Sequence, residues 1–122
     1  MTRLQTGSLC YAERPWRRAP EDPAPAPDIY CASVSERAAV MQAALDAGIT
    51  LFHAAHEREA ASLGQSIQTL GVRENVLVST TDGDALSRCP DTEAGAYDAV
   101  TRAIARKQEL LGTERLDVFH ML

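Results

Sequence analysis

Three glycines, Gly48, Gly71 and Gly112, each close a helical pattern and open onto an apolar, β-branched run, and this repeat limits what the chain can become. A glycine just past the last helical residue supplies the left-handed conformation that stops a helix. The clearest copy spans residues 33–56. Ser33 and Ser35 are candidate N-caps, and Glu36 places a carboxylate in the first turn, where the helix dipole favours it. Val40, Ala43, Ala44 and Ala47 recur at three- and four-residue steps and predict a narrow apolar face. After Gly48, Ile49 to Phe52 reads as a strand covered on both faces.

The same grammar extends in both directions. Residues 3–10 form a short strand candidate, and residues 13–28 hold Pro15, Pro20, Pro23, Pro25 and Pro27, a density that forbids helix and predicts an extended loop. Residues 57–70 predict a second helix, with Leu63, Ile67 and Leu70 on one stripe before Gly71. Residues 75–80 predict a strand and 81–93 a loop. Residues 94–111 predict the longest helix, with Tyr97, Val100, Ile104 and Leu111 on its inner face, and 116–122 a last strand. The order β, α, β, α, β, α, β buries every strand in one way, as parallel β/α units with right-handed crossovers and helices outside. The fold class is therefore α/β, and 122 residues with 45% hydrophobic composition suit one domain, 1–122.

Composition narrows the partners. A net charge of -5 argues against nucleic acid or an anionic membrane. No apolar run has the length of a membrane span, and MTRLQTGSLC has no basic segment followed by an apolar core, so a cytoplasmic location is expected. Cys10, Cys31 and Cys89 are odd in number and form no CxxC pair, which points to free thiols rather than a disulfide framework or zinc knuckle.

Several stretches resemble the aldo-keto reductase family. ALDAGITLFHAA resembles the segment in which that family's helix, ending in Asp-Ala-Gly, enters a strand closing in Asp-Thr-Ala. Gly71 to Thr80 is similar to its Arg-Glu-x-Val strand, which normally finishes in Thr-Lys, and Leu111 to Phe119 resembles the Leu-Gly-Thr segment that opens its fourth strand. Leu4 to Ser8 echoes the Leu-Gly-x-Gly-Thr of the first. The resemblance covers residues 33–122 and implies the N-terminal half of a (β/α)8 TIM-type barrel, with chemistry at the C-terminal strand ends.

It also implies where that chemistry ought to sit. The family reduces carbonyls with NADPH through a tyrosine, a lysine, an aspartate and a histidine; the corresponding positions here hold Arg58, Thr81, His53 and Leu122. The only lysine, Lys107, falls within a helix pattern, and Tyr11, Tyr30 and Tyr97 all lie away from the loop after the second strand. Arginine is no general acid near neutral pH, and threonine brings no charge to tune a neighbour. The expectation is a truncated, NADP-type oxidoreductase relative without reductase activity or bound cofactor by itself, completed by self-association or by a missing C-terminal half-barrel. The alternative is a binding or assembly module built on a half-barrel. A third reading is an enzyme using His53, His56 or Arg58.

Other candidate groups have plainer readings. His53 and His56 have HxxH spacing, and His120 shares a face with Leu122 by two-residue alternation, so three histidines are candidate ligands, but a strand-to-loop HxxH does not set two ligands on one helix face. No metal site is expected there. Asp82 and Asp84 in TDGD lack the downstream ligands of a calcium loop and read as a solvated turn. Asp117, near the start of the last strand, reads as a structural carboxylate.

Overall fold

The computed structural model describes residues 8–10, 33–82, 89 and 91–121. The proline-rich stretch 13–28, Tyr11, Tyr30, Cys31, Asp84 and Leu122 lie outside the described residues. The elements are β1 (Ser8–Cys10), α1 (Val34–Asp46), β2 (Leu51–Ala54), α2 (Glu57–Leu70), β3 (Leu77–Thr81), α3 (Glu93–Leu111) and β4 (Val118–His120). The strands pair in parallel in chain order, β1-β2-β3-β4. The protein is thus mixed α/β with a parallel sheet.

Local chemistry explains the helix boundaries. At α1, the Glu36 N–H donates to Ser33 Oγ and the Glu36 carboxylate accepts the Ser33 N–H at 2.7 Å, a reciprocal capping box. All three helices end the same way. Gly48, Gly71 and Gly112 take φ of 84°, 66° and 64°. In each case the glycine N–H returns to the carbonyl three residues back and the next N–H to the carbonyl five back, as in Ile49 to Ala44 at 3.0 Å and Thr113 to Gln108 at 3.1 Å.

One core joins the described elements. Phe52 and Ala54 of β2, with Val76 and Val78 at β3, meet Met41 and Ala44 of α1, Ala60, Leu63 and Ile67 of α2, and Leu111 of α3. These strand residues share one face by alternation, so the described helices pack on that face, with α2 central and touching α1 and α3. Each large side chain buried there contributes at most about 1.5 to 3 kcal/mol.

Two helix faces differ from the sequence expectation. In α1 the buried residues are Ala38, Met41 and Ala44, while Val40 is 53% exposed. An alanine-rich helix carries several nearly equivalent stripes, and the one holding the longest side chain, Met41, removes the most apolar area from water. In α3 the buried line is Ala99, Ala103, Lys107 and Leu111, and Tyr97 is 71% exposed. Small side chains win there because α2 lies close. A Cβ built on Gly64 would stand 2.7 Å from the Leu111 carbonyl oxygen.

The strands also shift from their predicted limits. β2 begins two residues later than expected and runs through Ala54, so His53 belongs to the strand. Residues 73–75 form a 3-10 turn before β3, and β4 is confined to three residues.

Gly64 generates a test. Gly64→Ala gains up to about 1 kcal/mol of helix propensity, but the obstructing atoms are backbone and cannot rotate away, an overpacking cost of about 1 to 3 kcal/mol. The expected result is a lower urea midpoint for Gly64→Ala, while Ala61→Gly on the same helix loses only its propensity. An unchanged or raised midpoint for Gly64→Ala would show that α2 and α3 are further apart than described.

Candidate functional site

The sheet face opposite the helices carries the polar residues. Pairing sets His53 opposite Ser79 and Ser79 opposite Val118, while Thr81 stands opposite His120. Residues two apart on a strand share a face, so His53, Ser79, Thr81 and His120 line one surface near the C-terminal strand ends. Burial does not exclude Ser79 and Thr81 from the sheet, since each hydroxyl finds an acceptor or donor on a neighbouring strand.

Ser79 is the centre of the cluster. Its Oγ lies 3.0 Å from His53 Nδ1 and 2.9 Å from His120 Nε2, and the two rings meet edge to face with centroids 5.8 Å apart. Ser79 is 3% exposed, His53 half-buried and His120 exposed. A hydroxyl has one proton to donate and two lone pairs. With both rings neutral, one imidazole accepts the Ser79 proton and the other donates to Oγ, giving a continuous chain of hydrogen bonds. One added proton is accommodated by a second donor nitrogen. Two imidazolium rings would leave the hydroxyl proton without an acceptor in the cluster and set like charges side by side.

Thr81 secures the last strand, its Oγ1 donating to the His120 carbonyl at 2.9 Å. Thr80, on the helix side, donates to the Ala54 carbonyl at 2.7 Å. Beside this row stands a second polar group that sequence reading missed. Glu59 is buried and its Oε2 accepts the N–H groups of Ala55 at 2.7 Å and His56 at 3.1 Å. Lys107, 3% exposed, reaches from α3 to donate to the Ala55 carbonyl at 2.9 Å. Burial pushes the Lys107 amine below its ordinary pKa, opposed by the charges of Asp82, Glu57 and Glu59.

The candidate residues therefore separate. His53, Thr81 and His120 come together, with Ser79 added between them. His56 precedes α2 and gives its N–H to Glu59, so the HxxH pair does not converge. Arg58 lies in the first turn of α2. Tyr97 is outward on α3, and the lysine amine is held at the end of β2 rather than of β3. No cluster of three or more His, Cys, Asp or Glu suited to a metal occurs among the described residues. Cys89 forms no disulfide among the described residues. Asp117 is structural: its Oδ2 accepts from Arg73 Nη2 at 2.9 Å and from the Val78 N–H at 2.8 Å.

A cleft of about 330 Å³ opens at the other end of the sheet, between the C-terminal ends of α2 and α3. Its wall includes Arg73, whose guanidinium is already spent on Thr113, Val76, Arg115 and Asp117. The Ser79 cluster is the stronger site because its nitrogens have lone pairs to offer.

No protein-family model matches the chain, and no curated protein matches it. Among the described residues, no helix is long and apolar enough to cross a membrane.

The cluster predicts a pH dependence. Burial lowers the His53 pKa first, the charges of His120 and Lys107 lower it further, and Glu59 opposes them. Between the folded pKa and the unfolded value of about 6.5, the unfolded chain binds more protons, so stability is lost as pH falls through that window. The carboxylates with depressed pKa, Glu36, Glu57 and Asp117, act only at lower pH. Urea unfolding at pH 7.5 and 5.5 is expected to show a loss on acidification that shrinks in His53→Gln. An equal loss in both proteins would place its origin elsewhere.

Proposed function

We propose that the chain is an aldo-keto reductase-like half-barrel, related to NADP-dependent oxidoreductases, that performs no carbonyl reduction by itself. The sequence resemblance over residues 33–122 is its first support. The sequential parallel order of the strands, with the described helices on one face, is the single structural observation that carries it. A doubly wound sheet reverses its strand order and puts helices on both faces; a barrel segment does neither.

The chemistry of the strand ends supports the loss of reductase activity. Carbonyl reduction requires a proton donor beside a held hydride source. Thr81 spends its hydroxyl on the His120 carbonyl, and Lys107 spends its amine on Ala55. A cytoplasmic setting and no bound cofactor accompany this reading. NADPH titration followed by cofactor fluorescence is expected to show no saturable micromolar binding. Arg58→Tyr combined with Thr81→Lys is expected to give no carbonyl reduction above the buffer blank. A saturable titration, or a rate in the double variant, would remove the proposal of an inactive half.

Exposed apolar residues favour a role in assembly. Val118 of β4 is 39% exposed and the adjoining Met121 62% exposed. Among the described strands, β4 pairs on one side only, with β3. Edge strands with apolar side chains join other strands. The partner in this reading is a second copy or a C-terminal half-barrel. Light scattering across a size-exclusion peak is expected to give at least a dimer mass, reduced by Val118→Lys. A monomer at micromolar concentration with a sharp melt would exclude self-association.

A further inference from the structure

We propose that the cluster around Ser79 is an acid-operated latch on β4, which lets Val118–His120 swing off β3 about a fixed hinge at Asp117 when both imidazoles carry a proton. The hinge itself stays shut. The Asp117 carboxyl is held below its usual range, so it remains charged and keeps Arg73 Nη2 at 2.9 Å and the Val78 N–H at 2.8 Å, while its own N–H donates to the Val78 carbonyl at 3.1 Å. Beyond that residue little holds the strand. β4 is three residues long, none of the three belongs to the hydrophobic core, and Val118, His120 and the adjoining Met121 are exposed. Segments with few buried apolar contacts open at low cost. Side-chain bonds tie β4 to β3 where Thr81 Oγ1 donates to the His120 carbonyl at 2.9 Å and where His120 Nε2 meets Ser79 Oγ at 2.9 Å. Of these two, only the second titrates.

The shared hydroxyl sets the proton count at which the latch fails. His53 Nδ1 lies 3.0 Å from the same oxygen, and one imidazolium fits, because Ser79 then accepts from it and donates to the neutral ring. A second proton makes both nitrogens donors to one oxygen, strands the hydroxyl proton, and sets two like charges on rings whose centroids are 5.8 Å apart. His120 is the ring that leaves, since it is exposed on β4, whereas His53 lies on β2 between two other strands. Burial and the charges of His120 and Lys107 disfavour a proton on His53, Glu59 favours it, and Asp82 and Glu57 act in turn on Lys107. With β4 away, both rings return towards the ordinary value of about 6.5. The open state binds one more proton, so opening is favoured as pH falls below that value. It presents the β3 edge, residues 79–81, to an incoming strand. The latch rests on the register of β3 and β4 and is independent of the half-barrel reading.

Hydrogen exchange of the intact chain, followed amide by amide by NMR at pH 7.5, 6.5 and 5.5 and corrected for the intrinsic pH dependence of exchange, tests it. Expected are β4 amides less protected than those of β2 at every pH, with a further loss approaching about tenfold between pH 6.5 and 5.5, one proton being taken up per opening. His53→Gln and His120→Gln each leave a single titrating ring and an amide that bonds to Ser79, so both flatten the β4 profile. His120→Gln alters an exposed residue and keeps the test valid even if His53→Gln fails to fold. A flat profile in the unaltered chain, an unchanged profile in His120→Gln, or equal protection in β4 and β2 overturns the latch.

Discussion

The Arg73–Asp117 pair sets the position of the last strand, and the polar face depends on that position. Arg73 Nη2 meets Asp117 Oδ2 at 2.9 Å, and the same oxygen takes the Val78 N–H at 2.8 Å, tying β3 to the approach of β4. The guanidinium also donates to Val76 O at 3.0 Å, Thr113 Oγ1 at 3.1 Å and Arg115 O at 2.7 Å. Both side chains are mostly buried, at 18% and 14% exposure, so these charge-assisted bonds are worth about 1.5 to 3 kcal/mol each. The pairs of Arg106 with Glu57 and Glu109 lie in solvent, which screens them, and they hold far less of the structure. Burial raises the Asp117 pKa, but the Val78 N–H and Arg73 outweigh it and hold the carboxyl below its usual range. A one-residue slip of β4 would turn His120 to the helix side and dismantle the cluster.

Much of the architecture was legible in the chain. The helix ends were readable because Gly48, Gly71 and Gly112 have a stereochemical duty that few other residues perform. The parallel order followed from alternation alone. Which face of α1 and α3 would be buried was not legible, since alanine fits several stripes and the choice is made by the neighbouring helix. The lysine was the deeper obstacle: its charge marks it as a surface residue, yet it is buried and its amine finds the Ala55 carbonyl.

The site was half legible for a related reason. His53 and His120 stood out in sequence as histidines near strand ends, but pairing through β3 is what sets them on one surface, and Ser79 looks in sequence like one of several strand hydroxyls in VSTT. Its importance comes from register, which no local pattern supplies. Thr80 and Thr81, its neighbours, satisfy their hydroxyls on backbone carbonyls of flanking strands and fasten the sheet. Ser79 alone among the three turns to side chains. The polar face is thus organised around one serine hydroxyl flanked by two imidazoles.

The enclosure of Lys107 gives this molecule an internal reporter. It is the sole lysine of the chain, and its amine is closed off between α2, α3 and the end of β2. Reagents that acylate amines, and enzymes that conjugate proteins to lysine, reach that nitrogen only when α3 lifts from α2. Mass-spectrometric labelling at this one side chain therefore counts opening events of the helix layer, since no other lysine competes for the reagent.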